Sequence, residues 1–202
     1  MRFTIDESGA VAANLTGSTY IQVIPVTVYQ FERFVWREAP ETIQYESVID
    51  INKRITLDGC SRKNFVSSFI SNVSFAEACD ICAALVNGRP PTVKEWERAN
   101  EMIFQKGGIL SLALEFTESS RQDKPVDQRV KNLMVRLVRI GITRLDHKAL
   151  GELVSEFPAS DEQMYGQIFL KSSSRERALV TGNPPATQRD RQFHFRAVFV
   201  KE

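Results

Sequence analysis

The sequence predicts an α+β fold, and three observations carry that prediction. Two helix-start signals flank a proline-barred turn within residues 72–98. Apolar residues recur at helical spacing over 28–35 and again over 126–140. Short apolar runs of strand character close the chain, at Gly166-Gln167-Ile168-Phe169-Leu170, at Ala178-Leu179-Val180-Thr181 and over 193–200. With 202 residues, 43% of them apolar, the chain is expected to bury a sizeable core as a single domain over residues 1–202.

Residues 1–26 read as strand and turn, with Gly9, Gly17 and Pro25 as breakers and Tyr20-Ile21-Gln22-Val23-Ile24 as an apolar strand. From Val28 the spacing of Phe31, Phe34 and Val35, with Glu32, Arg33 and Arg37 between and beyond them, predicts the first helix, with Phe31 and Val35 facing the core. Residues 40–71 read as short strands around a polar surface loop at Asn52-Lys53-Arg54 and Asp58-Gly59. Ser74 with Glu77, and Thr92 with Glu95, have capping-box spacing. In that motif a hydroxyl accepts from the third helical N–H while a carboxylate accepts from the cap residue's own N–H. Asn87-Gly88 supplies a left-handed terminator to the first of these helices, and Pro90-Pro91 bars helix until Thr92 restarts it.

Gly107-Gly108 stops the second helix, and an apolar run follows over 109–117. Val126, Val130, Leu133, Met134, Leu137, Val138 and Ile140 predict an amphipathic helix; Leu150, Leu153, Val154 and Phe157 predict another short one. Beyond the strands at 166–170 and 178–181, the loop 183–191, with Pro184-Pro185 and Gln188-Arg189-Asp190, is the least restrained piece before the closing strand.

Twenty-six basic residues balance 25 acidic ones for a net charge of +1, so no global field steers the chain onto nucleic acid or an anionic membrane. No apolar run approaches the roughly 20 residues that span a bilayer. Three cysteines, an odd number, and a start without a basic-then-apolar leader make a reducing cytoplasm the expected compartment.

The segment Val73-Ser74-Phe75, Ala78, Cys82, then Gly88-Arg89-Pro90-Pro91-Thr92, Glu95-Trp96-Glu97 and Ala99 resembles the marker of the formylglycine-generating enzyme (sulfatase-modifying factor) family, "V-S-W-x-x-A-x-x-Y-C-x-W" followed by "G-R-L-P-T-E-A-E-W-E-x-A". Ile24-Pro25-Val26-Thr27 through Val35 looks like that family's "P-V-T-N-x-Q-Y-x-x-F-V" opening helix, Glu115-Phe116-Thr117 like its "E-W-T", and Phe195-Arg196-Ala197-Val198 like its closing "G-F-R-x-V". Leu179-Val180-Thr181-Gly182-Asn183 stands where the family has "V-L-R-G-G-S-W". The resemblance implies a formylglycine-generating-enzyme-like variant of the C-type lectin fold, from about residue 24 onward. Helices over 126–157, where relatives have irregular loops, are then expected to be an insertion over part of the family's site face.

Catalytic members hold copper with two cysteines after the "G-G-S" turn, thiolates being the ligands copper(I) prefers. This chain has no cysteine over 181–196; its three are Cys60, Cys79 and Cys82. A degenerate, non-catalytic member without cofactor is therefore expected. Cys79 and Cys82 form a C-x-x-C inside a helix, away from the N-terminal dipole that lowers a thiol pKa, and are read as packing. Two histidines, His147 and His194, exclude a multi-histidine metal site, and alternation along the strand sends His194 away from Phe193 and Phe195, toward an exposed face. Glu95 reads as a cap, Trp96 as an anchor and Arg89 as a scaffold residue near the turn. Phosphate-loop, dinucleotide and G-x-S-x-G signatures are absent.

Arginines concentrate near the C-terminus. A protein partner is expected on Arg175, Arg177, Asn183, Arg189, Asp190, Arg191 and His194, because arginines beside an adaptable loop are frequent interface anchors. Nucleic acid is the weaker reading, since alternation sends the neighbouring phenylalanines to the core face and His194 and Arg196 to the other. Two other classes remain: a metal-dependent oxidase or modifying enzyme with a relocated site, which needs Cys60 close to Cys79 or Cys82, and a structural or ligand-display subunit of a bacterial or phage assembly, which degenerate domains of this family resemble.

Overall fold

Both ends of the chain build one antiparallel sheet. β1 (Phe3–Ile5), β2 (Val11–Thr16) and β3 (Thr19–Gln22) follow as a meander, and β8 (Val198–Val200) pairs with β3, giving the order β1-β2-β3-β8. The computed structural model describes residues 2–35, 69–70, 73–104, 108–119, 122, 124–139, 151–155, 165–170, 177–180 and 193–201. The readings of 40–71 as strands and loop, apart from Phe69 and Ile70, and of 183–191 as a loop lie outside these residues.

Period-2 alternation gives the sheet two apolar faces. Val11, Ala13 and Leu15 join Ile21, Val23 and Val198 in one layer, while Ala12, Ala197 and Phe199 belong to the other. The first layer is covered by α4 (Ile109–Glu118), α5 (Gln128–Arg139) and Ala99 of α3 (Val93–Phe104). The second is covered by α2 (Phe75–Val86) and by Phe31 and Val35. These two residues sit on a π-helical turn (Phe31–Val35) that continues α1 (Val28–Gln30), and both are fully buried as the sequence predicts.

Local chemistry accounts for the helix ends. Ser74 Oγ accepts from Glu77 N at 3.2 Å and Glu77 Oε2 from Ser74 N at 2.8 Å. Thr92 and Glu95 repeat the arrangement at 3.2 and 2.7 Å. A third box, Thr27 with Gln30, starts α1 at 3.1 and 2.9 Å. The left-handed residue ending α2 is Asn87 itself, with φ 50° and ψ 44°, rather than Gly88. Gly88 answers a different need: a Cβ there would lie 2.3 Å from the Val198 carbonyl oxygen, where Arg89 and Val198 exchange main-chain hydrogen bonds of 2.9 and 2.7 Å.

The apolar run after Gly108 is helical as α4. α5 follows the predicted amphipathic pattern, burying Val130, Leu133, Met134 and Leu137. The short helix expected around Leu150, Leu153, Val154 and Phe157 is corrected at its centre, where Leu153 and Val154 lie in β4 (Gly151–Ser155); Leu150 and Phe157 lie outside the described residues. β4 pairs antiparallel with β5 (Tyr165–Leu170), β5 pairs antiparallel with β6 (Arg177–Val180), and β7 (Phe193–His194) adds parallel to β4, giving the order β6-β5-β4-β7. The four apolar residues have helical spacing, but so short a set is overridden when the backbone pairs with distant strands. The closing stretch divides between the two sheets, β7 serving one and β8 the other. The expected helical insertion over 126–157 thus reduces to α5 among the described residues. No described helix is long and apolar enough to cross a membrane.

Gly88→Ala is expected to destabilise the fold by about 3 kcal/mol in urea unfolding, because the obstructing atom is a main-chain oxygen of a residue held by two hydrogen bonds to Arg89. Asn87→Gly, at a backbone conformation that suits glycine, should change stability by less than about 1 kcal/mol. Equal stability of Gly88→Ala and wild type would contradict the close approach.

Candidate functional site

Of the seven residues expected to bind a partner, Arg175, Asn183, Arg189, Asp190 and Arg191 lie outside the described residues. Arg177 opens β6, paired with Leu170. His194 is described in full, and its expected exposure is corrected. It is 1% exposed, with Nδ1 2.9 Å from the Ile70 carbonyl oxygen and its ring edge-on to Phe69 at 5.8 Å between centroids. Alternation locates an exposed side chain only where one sheet face is wet, and here Phe69 and Ile70 cover the face that the pattern assigned to solvent. Donation to the Ile70 carbonyl places the proton on Nδ1. Burial pushes the pKa of His194 down to about 4, the hydrogen bond to Ile70 opposes the shift, and the nearby Arg196 charge adds to it. The ring is neutral at physiological pH.

Arg196, expected on the same exposed face, is also 1% exposed, and its Nη1 lies 3.4 Å from the Gln22 carbonyl oxygen. A buried polar network fills the nearby turn. Asp6 Oδ1 accepts from Ser8 N at 2.9 Å, Ser8 Oγ at 2.7 Å and Ala10 N at 3.0 Å, while Oδ2 accepts from Gln22 Nε2 at 2.7 Å. Gln30 Nε2 extends the network to Ser8 Oγ at 2.7 Å. Burial outweighs these bonds and raises the Asp6 pKa. Sequence reasoning missed this network; Asp6-x-Ser8 turn chemistry and the Thr27-x-x-Gln30 capping spacing were its readable signals.

Arg89 meets Glu95 in a two-pronged ion pair, 2.7 Å on each oxygen, and also donates to the Pro90 carbonyl at 3.1 Å. Burial works against the Glu95 charge, yet the hydrogen bonds from Arg89 and Thr92 prevail and lower its pKa. The geometry is that of a brace. Cys82 is fully buried with Sγ 3.8 Å from the Arg196 carbonyl oxygen, and burial pushes its thiol well above the ordinary value. Burial, with the Asp80 charge beside it, pushes Cys79 up to about 11. Thiolates are the nucleophiles, and at neutral pH both cysteines are held in the protonated, less reactive form. Among the described residues no group of three or more His, Cys, Asp or Glu is placed to hold a metal ion. The copper that the resemblance implies for catalytic members would need two cysteines after Thr181, and no cysteine stands over 181–196. Cys60 lies outside the described residues.

A second polar cluster sits at the surface. Asp127 caps α5, its Oδ1 accepting from Arg129 N at 2.8 Å and Val130 N at 3.4 Å. Its Oδ2 accepts from Tyr29 Oη and from Arg33 Nη1, each at 2.9 Å, and Arg33 Nη1 also donates to Tyr29 Oη. Two guanidinium groups lie over the Tyr29 ring, that of Arg129 at 4.5 Å and that of Arg33 at 5.8 Å from its centroid. Gly9 seats this cap: its carbonyl accepts from Asp127 N at 2.9 Å, and with φ +77° it has no room for a Cβ, which would fall 2.8 Å from Asp127 Cβ.

The depressed pKa of His194 makes a signed prediction. The unfolded chain binds a proton near the ordinary value of 6.5 while the folded chain resists it until about pH 4. The stabilisation is therefore complete above about pH 6.5 and is lost as pH falls toward 4, amounting to about 3 kcal/mol over that window. In urea titrations from pH 7.5 to 4, His194→Phe should be less stable at pH 7.5 and should lack this component of the pH slope. A variant whose slope matches wild type would show that the histidine is not held neutral.

No family model, no curated protein and no solved structure matches the chain.

Proposed function

We propose that the chain is a non-catalytic recognition or scaffold module on a formylglycine-generating-enzyme-like, C-type-lectin-like framework, binding a protein partner through its C-terminal loops. The observation that carries this reading is the mutual contact of the segments on which the family resemblance rests. Val26 N donates to the Phe195 carbonyl at 2.9 Å, Arg89 pairs with Val198, and Cys82 Sγ lies against the Arg196 carbonyl. The opening helix, the turn segment and the closing strand thus meet around one core layer.

The same residues speak for recognition over catalysis. Arg89, Glu95 and Thr92 satisfy one another, Cys79 and Cys82 stay protonated, and His194 stays neutral. What remains for function on this reading is the surface, where loops vary without disturbing the framework.

Arg189→Ala with Arg191→Ala should abolish recovery of a stoichiometric partner when tagged protein is captured from its host at moderate salt, with the melting temperature unchanged. A partner retained equally by wild type and variant would move the interface elsewhere. Stoichiometric copper(I) uptake that disappears with Cys60→Ser would overturn the non-catalytic reading.

A further inference from the structure

The outward side of α5 carries a line of arginines without acids. Arg129, Asn132, Arg136 and Arg139 are all exposed, and their spacing of three, four and three residues keeps them within an arc of about 80° over roughly 15 Å of helix. Elsewhere around this helix charges are matched. Lys131 pairs with Glu118, Lys124 with Glu7, and Arg33 with Asp127. Among the described residues no carboxylate forms an ion pair with Arg129, Arg136 or Arg139, in a chain whose total charge is balanced.

Helix stability does not account for this face. Arg136 and Arg139 suit the negative end of the helix dipole, but Arg129 stands in the first turn, where a cation opposes it, and α5 has no acidic residue in that turn. Arg129 is instead held against the Tyr29 ring at 4.5 Å, which limits its motion and orients its donors before any ligand arrives. All three of these charges are arginine, the side chain whose planar donor fork fits carboxylate and phosphate, whereas the two lysines beside them are spent on Glu7 and Glu118.

We propose that this face of α5 docks an acidic helix of a protein partner, with carboxylates at the matching seven-residue period. Arg129 and Arg136 are seven residues apart, as are Asn132 and Arg139, so one helix laid alongside meets all four positions. Val135, half-buried beside them, offers it apolar contact. Nucleic acid is disfavoured by number: sequence-independent binding draws on about six to ten phosphate contacts, and the three arginines of this helix face, on a chain of net charge +1, fall short. The proposal uses none of the C-terminal loop residues and stands or falls separately from their role.

The test uses the full chain and a labelled alanine-based helical peptide with glutamates at i, i+3, i+7 and i+10, read by fluorescence anisotropy at 25 and 150 mM salt. Wild type is expected to bind saturably, more weakly at the higher salt. Arg129→Gln, Arg136→Gln and Arg139→Gln together should weaken binding at least tenfold while the circular dichroism spectrum at the assay temperature stays that of the folded wild type, and Arg189→Ala with Arg191→Ala should leave binding intact. Absence of saturable binding, equal binding by the triple variant, or tighter binding of a 20-base-pair DNA duplex or of phosphatidylserine vesicles than of the peptide would each overturn the proposal.

Discussion

Arg89 and Val198 bind one another through two main-chain hydrogen bonds, and the framework depends on that seam. Val198 belongs to the strand that completes the first sheet beside β3, so the seam fastens the turn between α2 and α3 to a sheet made mostly from the N-terminus. It forms only because Gly88 brings no Cβ to the Val198 carbonyl. Around it the chain spends its local chemistry on geometry. Asn87 reverses the backbone, Pro90 and Pro91 remove donors, and Arg89 is pinned to Glu95, whose carboxylate also caps the next helix. A non-local contact costs chain entropy to close; holding one side of it rigid beforehand reduces the ordering left to do.

Elements whose signal is local were legible in the sequence. Both capping boxes at 74–77 and 92–95, the proline-barred turn, the core-facing Phe31 and Val35, and the buried stripe of α5 follow from contacts within a few residues. Elements decided by distant partners were not. The stretch around Leu153 satisfies helical spacing, yet its backbone is claimed by β5 and β7, and the register with them cannot be read from four apolar residues. His194 and Arg196 fail for a related reason: alternation gives the face of a side chain, while exposure depends on what another segment lays over that face. The candidate site was less legible than the fold. Of its residues, the one described with its side chain turned inward, and the arginine line of α5 went unread because the pattern was used only for its apolar side.

Inside the protein, ionisable groups are made quiet by different means. Asp6 accepts four hydrogen bonds that offset much of the cost of burying it, whereas His194 avoids the cost by remaining neutral, and Cys82 by remaining protonated. Gln22 serves twice, its amide donating to Asp6 and its carbonyl meeting Arg196. Such a network specifies one packing arrangement, because displacement of any member leaves a polar atom buried without a partner. These groups serve the framework, and none combines the exposure and shifted ionisation of a catalytic acid, base or nucleophile.

The surface follows the opposite rule, and this contrast supports the proposed division between framework and recognition. Substitutions at exposed helix positions usually alter stability by no more than about 0.5 kcal/mol, whereas changes to buried polar groups and close main-chain approaches cost several times that. A binding face on the outer side of α5 is therefore free to change its charge without loss of the fold. The inner side of the same helix keeps Val130, Leu133, Met134 and Leu137 against the sheet, and its cap holds to Gly9 and Tyr29. Because Tyr29 also lies against Arg129, the cap that fixes the helix in place sets the direction of the first arginine on its free face. Position and recognition are thereby coupled at one aromatic ring: removing it would loosen the arginine as well as the cap, while altering the arginine alone leaves the cap's hydrogen bonds untouched.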